Sequence, residues 1–192
     1  MIRMFQLCCL LLCAFAEFAV AANVPLQDFY REVWTTRDGL SHNTVNSIQQ
    51  ADDGYLWFAG WEGAARFDGR QFDLFHRNQL NQLADSGILV LAKRANGALL
   101  LGGSRGGLVQ LQNDIARQLP AVNSQVNDIL EDQFGQLWVT TEGSGLFRLN
   151  AEGQIAQFSV ESQLRTNIAH QMTQTEDGKI WLATANGLFW YD

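Results

Sequence analysis

Four copies of one short pattern fill the chain from about residue 40 onward, and they restrict its fold more than any other feature. The copies are Asp53-Gly54-Tyr55-Leu56-Trp57, Asn96-Gly97-Ala98-Leu99-Leu100, Phe134-Gly135-Gln136-Leu137-Trp138 and Asp177-Gly178-Lys179-Ile180-Trp181. Their glycines fall 43, 38 and 43 residues apart. Nine or ten residues after each comes a second glycine: Gly63, Gly107, Gly145 and Gly187. An apolar pair follows three of these at once, as Leu108-Val109, Leu146-Phe147 and Leu188-Phe189. A period near 40 marks an array or a propeller, whose units bury their apolar faces only against one another.

Within one period the apolar spacing is that of short strands. In the first copy Val45 to Gln50 alternates, Asp53-Gly54 turns, and Tyr55 to Trp61 is apolar and aromatic; after Glu62-Gly63, Ala64 to Phe67 and Gln71 to Phe75 follow. Asp-Gly and Glu-Gly between such runs are hairpin signals, because glycine takes the positive φ of tight turns. No 12-residue window carries an apolar stripe at helical spacing. The third copy repeats the set as 125–130, 136–140, 146–149 and 155–158, while the second is the weakest, with Leu100 where the others have tryptophan. The expected fold is therefore all-β, a β-propeller with blades of four antiparallel strands. The repeats cover about 41–79, 80–121, 122–160 and 161–192.

The fourth copy supplies three strands and stops. A segment over 29–36, beginning Phe29-Tyr30-Arg31-Glu32-Val33-Trp34, reads as the outer strand that would complete that last blade and remove an open edge. Two arrangements stay open: four blades closed on themselves, or an incomplete ring belonging to a larger propeller. The second is preferred, since four blades is the lower limit of the architecture.

The first 21 residues are of a different kind. A basic start at Arg3, an apolar run from Phe5 to Phe15 and the small residues of Ala19-Val20-Ala21 are the three parts of a secretory signal peptide. Residues 1–21 are read as that leader and 22–192 as the exported region. All three cysteines, Cys8, Cys9 and Cys13, fall inside the leader. A mature chain without cysteine excludes disulfides, thiolate metal sites and a cysteine nucleophile.

Little local chemistry stands out. The 13 Lys and Arg against 20 Asp and Glu give a net charge of −7, which argues against binding nucleic acid through its phosphates. His42, His76 and His170 are scattered along the chain with no metal-ligand spacing. Asp52-Asp53-Gly54 lacks the alternating ligands of a calcium loop. Gly102 to Gly107 is glycine-rich, but no Lys-Ser/Thr follows it. No Gly-x-Ser-x-Gly elbow occurs. No catalytic residue, metal or cofactor is expected.

Positions that repeat hold the fold, and positions that vary are free to specialise. Gly54, Gly135 and Gly178 belong to the first kind, as do Trp57, Trp138 and Trp181, whose recurrence implies packing between blades. Trp61 varies among copies. In a propeller, the loops from second to third strand share one face with those from outer strand to the next inner strand. Here they carry His42, Asn43, Trp61 and Glu62 in the first repeat, Arg105 in the second, Glu142 in the third, and Arg165, Asn167 and Asn186 in the fourth. An aromatic ring, carboxylates, guanidinium groups and amides around a funnel suit a small polar ligand such as a sugar or an acid.

The stretch Trp34-Thr35-Thr36-Arg37-Asp38-Gly39-Leu40-Ser41-His42-Asn43-Thr44-Val45-Asn46-Ser47-Ile48 resembles the opening of two-component-regulator propellers. The blade pattern of that family is matched by Asp53 to Phe58 with Gly63, and by Asp177 to Thr184 with Gly187-Leu188. The resemblance covers about residues 30 to 192. It implies the periplasmic sensor region of a bacterial transmembrane signalling protein, whose output is a histidine kinase or a diguanylate cyclase. Trp61 to Gly69 resembles the cyclase-linked members more. The chain departs from the family in having four repeats where members carry many more. The expectation is a periplasmic ligand-sensing module without catalysis of its own, its partner a small polar ligand or a periplasmic protein. The membrane link would lie in segments beyond the repeats, and the full-length form would be anchored in the inner membrane, as a homodimer. Two other classes remain, an exported propeller enzyme (a lyase or glycan hydrolase) and a protein-interaction scaffold. Enzyme chemistry would need a converging acid/base pair, for which Glu62 and Glu142 are the nearest candidates.

Overall fold

The computed structural model describes residues 30–76, 80, 83, 85–120, 122–159 and 164–192. The leader over 1–21, its cysteines and Phe29 lie outside them. The chain divides into two units, Met1–Val33 and Trp34–Asp192. In the first unit, residues 30–33 are exposed and form no strand.

Over the described residues 30–36, the outer strand expected over 29–36 is not formed. Residues 30–35 have no regular structure, and Thr36–Asp38 is a single 3-10 turn. A Thr-x-x-Asp box causes this. Thr35 N donates to Asp38 Oδ2 at 2.7 Å, and Arg37 N donates to Thr35 Oγ1 at 3.2 Å. Gly39, at φ 104°, then ends the turn in the left-handed region.

The second unit is four antiparallel sheets. β1 (Val45–Gln50), β2 (Leu56–Gly60), β3 (Gly63–Phe67) and β4 (Phe72–Phe75) form the first blade in chain order. The second holds β5 (Ile88–Lys93), β6 (Leu99–Gly103), β7 (Leu108–Gln112) and β8 (Ile115–Gln118). The third holds β9 (Val126–Glu131), β10 (Leu137–Thr141), β11 (Leu146–Leu149) and β12 (Ile155–Phe158). The fourth has three strands, β13 (Ala169–Gln174), β14 (Ile180–Thr184) and β15 (Gly187–Tyr191). β1 lies against β5, β5 against β9 and β9 against β13, with no comparable contact between β13 and β1. The fold is an open arc of propeller blades.

Pairing register makes the repeats equivalent residue by residue. Gln49 faces Trp57, Ala92 faces Leu100, Leu130 faces Trp138 and Thr173 faces Trp181. Because side chains alternate across a strand, this residue of each second strand points to the following blade and its two neighbours point to the preceding one. Three cores result. Trp57, Ala59 and Ala64 of the first blade pack with Ile88, Leu91, Leu99 and Leu101 of the second. Leu100 and Leu108 pack with Val126, Ile129, Leu137 and Val139. Trp138 and Leu146 pack with Ala169, Met172, Ile180 and Leu182. Each large side chain so buried contributes about 2–3 kcal/mol.

Polar contacts set the spacing of the blades. Asn46 Nδ2 donates to the Ile88 carbonyl and Asn127 Nδ2 to the Ala169 carbonyl, each at 2.9 Å. One residue further, Ser47 Oγ accepts from Leu91 N at 3.1 Å, and Asp128 Oδ2 accepts from Met172 N at 2.8 Å. Lys93 pairs with Asp52 at 2.6 Å, and Arg94 Nε donates to Glu131 Oε1 at 2.8 Å.

Candidate functional site

The loops from second to third strand all emerge from one edge of the sheets, and they differ in length. β2 and β3 are joined by Trp61 and Glu62 alone, and β14 and β15 by Ala185 and Asn186. In the second and third blades the connections open into longer loops, Ser104–Gly107 and Glu142–Gly145. The longer loops go with a second glycine that stands ten rather than nine residues from the first. Loop backbone is tied to the approach to each first strand. Ser104 N donates to the Gly87 carbonyl, Glu142 N to that of Gln125, and Gly145 N to that of Asn167. The predicted ligand-binding residues therefore share one face.

Five of them fall into two groups. At the junction of the first and second blades stand Trp61 and Arg105. Trp61 is 46 % exposed, and a Cβ built on Gly87 would lie 3.1 Å from its ring and 2.5 Å from Ser104 Oγ. Glycine at 87 is what allows the indole and the Ser104 hydroxyl to approach so closely. Ser104 Oγ donates to Asp85 at 2.8 Å, and Asp85 Oδ2 holds Arg105 Nε at 3.3 Å. The Arg105 side chain is 81 % exposed, so the carboxylate tethers one edge of the guanidinium and leaves the rest facing water. Asp85, Gly87 and Ser104 are additions to the set read from sequence. Their signal was the Asp-Ser-Gly run at 85–87, which sits outside the recurring pattern.

At the junction of the third and fourth blades stand Glu142, Arg165 and Asn167. Glu142 Oε2 accepts from Asn127 Nδ2 at 3.0 Å. Asn167 supplies a carbonyl to Gly145 N at 2.8 Å. Arg165 is exposed with φ 55°, a conformation rarely adopted by a residue with a side chain. Of the remaining predicted residues, His42 Nδ1 accepts from Thr44 N and Asn43 Oδ1 from Thr36 N, both at 2.9 Å. These two shape the entry to β1. Asn186 N donates to Thr184 Oγ1 at 3.0 Å within its turn, and Glu62 is exposed. Glu142 belongs to the second group and Glu62 to neither, and no contact among the described residues joins them as an acid/base pair.

Beside the second group, burial between blades pushes the Asp128 carboxyl above its ordinary range, against the opposing effect of hydrogen bonds from Met172 N and Ile129 N. Two cavities are lined by other residues. One of about 110 Å³ is lined by Trp138, Phe158, Leu164 and Tyr191 between the last two blades. Another of about 350 Å³ is lined by Arg94, Arg117 and the 150–153 turn, at the other ends of the strands.

Two segments, residues 39–62 and 121–143, match the family model of the two component regulator propeller. They fall in the first and third repeats and include Trp57 and Trp138. No curated protein sequence matches the chain. Among solved structures, the extracellular domain of a hybrid two component system from B. thetaiotaomicron is 23 % identical, with a TM-score of 0.64 over 80 % of this chain and 21 % of its own. A second such domain from that organism is 21 % identical, with a TM-score of 0.67 over 83 % of this chain and 23 % of its own. Virginiamycin B lyase from Staphylococcus aureus is 16 % identical, with a TM-score of 0.58 over 76 % of this chain and 54 % of its own. The chain thus spans less than a quarter of the two extracellular domains. Identities at this level establish a shared fold.

Proposed function

We propose that this run of two-component-regulator propeller repeats is the periplasmic ligand-sensing module of a transmembrane signalling protein. The output, a histidine kinase or diguanylate cyclase, is the work of another domain, and no reaction is catalysed by these repeats. One observation carries the reading: the loop edge holds the residues that break the repeat, and two of them are held in place. Trp61 rests on Gly87, while Arg105 hangs from Asp85 with most of its guanidinium in water. An exposed indole offers a flat apolar surface to a sugar ring, and a tethered guanidinium offers paired donors to a carboxylate or hydroxyls. Tethering lowers the side-chain entropy lost when a ligand binds.

The test follows the melting temperature and tryptophan fluorescence of the purified chain against neutral mono- and disaccharides and small dicarboxylates. The expected result is a concentration-dependent rise with one of these classes, lost in both Trp61→Ala and Arg105→Ala. Both side chains are exposed, so each unliganded variant should keep its stability within about 0.5 kcal/mol. No response to either class, or a response that survives both substitutions, overturns the assignment.

A further inference from the structure

The second blade departs from the first and third along one row of facing residues. In the first blade Trp57 faces Arg66, which faces Asp73; in the third, Trp138 faces Arg148, which faces Ala156. Both arginines lie over aromatic rings and reach into the following blade. Arg66 sits 4.7 Å from the Tyr55 ring and bonds Asp114, while Arg148 sits 5.5 Å from the Trp138 ring and bonds Tyr191 Oη. The same row of the second blade is Leu100, Gln110 and Arg117. Leucine and glutamine are smaller than tryptophan and arginine, and here a cavity of about 350 Å³ lies between the second and third blades. Pockets for small ligands run from about 300 to 1,000 Å³. Both blades that wall it carry four strands.

The walls of this cavity carry opposite charges. On the second blade, Arg94 Nε donates to Glu131 Oε1 at 2.8 Å and Nη1 to Gln110 Oε1 at 3.1 Å, while Nη2 serves Glu131 and the Gly135 carbonyl. A guanidinium has five N–H donors, so one on Nη1 remains for a further acceptor, and Glu131 already balances the charge. Arg117 is exposed and makes no hydrogen bond or ion pair among the described residues. On the third blade Glu152, in the turn between β11 and β12, is exposed and likewise without such a partner. Arg117 and Glu152 thus line one cavity without pairing with each other, and Leu137 and Leu149 give it an apolar wall. A phosphate or a dicarboxylate would bring more negative charge toward Glu152, and a neutral sugar would use neither charge. A small molecule with a carboxylate, an ammonium and a short apolar chain uses all three walls.

We propose that this cavity is a binding site for a free α-amino acid with an apolar side chain. Its carboxylate takes the Arg117 guanidinium and the spare N–H of Arg94, and its ammonium takes the Glu152 carboxylate. Its side chain lies against Leu137 and Leu149. The site is independent of Trp61 and Arg105, which stand at the opposite ends of the strands.

Isothermal titration of the purified full chain with L-leucine through the millimolar range tests this. Leucine should bind, and 4-methylpentanoate (no ammonium) and leucinamide (no carboxylate) should each bind at least about tenfold more weakly. Arg117→Gln and Glu152→Gln should each weaken leucine by a similar factor. Both side chains are exposed, so the unliganded variants should melt as the wild type does. The preference for leucine over 4-methylpentanoate should vanish in Glu152→Gln, and the preference over leucinamide in Arg117→Gln. The two analogues probe the same contacts on the unaltered chain, so the test does not depend on either variant folding. Absence of leucine binding overturns the proposal. So does binding that survives both substitutions, and so does equal binding of 4-methylpentanoate by the wild type, which would mark a plain anion site.

Discussion

The indole Nε1 of Trp138 donates a 2.8 Å hydrogen bond to Asp132 Oδ2, six residues earlier in the same hairpin. Both side chains are buried. Asp132 also accepts from Phe134 N and Gln136 N, each at 2.9 Å, so one carboxylate closes the turn and fixes the ring. Asp132→Ala strands these donors and should cost about 2–3 kcal/mol in urea unfolding. Asp132→Asn keeps one acceptor and should cost less. Equal losses would show that the one retained oxygen contributes nothing and that the charge and the second oxygen carry the whole effect.

Replacing the aligned tryptophans by alanine separates the internal faces from the open one. Trp138→Ala removes a ring that is 1 % exposed and should cost about 3–5 kcal/mol. Trp181→Ala, on the open face of a monomer, should cost about 1 kcal/mol. Unfolding at low concentration checks this, and similar losses would place Trp181 in a buried setting.

Glycines at one repeat position should respond differently. Gly145 has φ 79°, and a Cβ there would clash with the Phe158 carbonyl oxygen. Gly187 has φ 105° and nothing within 4 Å, because the fourth sheet has no strand beyond β15. Gly187→Ala carries the backbone penalty alone, about 1 kcal/mol. Gly145→Ala adds a displaced β12 and should lose at least about 3 kcal/mol by thermal unfolding.

Asp128 gives a pH signature. Burial between blades raises its folded pKa above the unfolded value, so the folded chain holds this proton more tightly. The stability it contributes is complete below the unfolded pKa of about 4 and is lost as pH rises through the raised folded value. Compared with Asp128→Asn, the wild type should be favoured most at acidic pH and lose ground toward neutrality. Urea midpoints at a series of pH values measure the gap, and a gap that widens in the wild type's favour as pH rises would refute the assignment.

Asp177 lies at the opposite limit. Hydrogen bonds from the Lys179 ammonium and the Thr175 hydroxyl push its carboxyl down to about 2. Carboxyl NMR should place the midpoint there, and Lys179→Gln should return it toward 3.8. An unmoved midpoint would assign the depression to Thr175 and the turn.

The repeat period, the hairpin glycines and the strand set were legible in the sequence because each is carried by residues that recur. What needed coordinates was the contact across blades. Arg66 stacks over Tyr55 at 4.7 Å and bonds Asp114 of the next blade at 2.8 Å, while Arg148 reaches Tyr191 Oη at 2.9 Å. Neither arginine stands out in the chain, since sheet register, not proximity in sequence, sets them opposite Trp57 and Trp138. Over the described residues 30–36, Tyr30, Val33 and Trp34 suggest a strand, but the Thr35–Asp38 box and Gly39 favour a turn instead. On the loop face, Trp61 and Arg105 were visible as breaks in the pattern, while Asp85 and Gly87 were hidden in the weakest copy.

Three shared cores among four sheets mean that β5–β12 are gripped from both sides and the terminal sheets from one. In such nearest-neighbour stacks the outer units open before the inner ones. Trp61 rides on the first sheet and Arg105 on the second, on either side of one shared core. A molecule that gripped both indole and guanidinium would therefore clamp two sheets that only side-chain packing and a few polar bonds otherwise hold together.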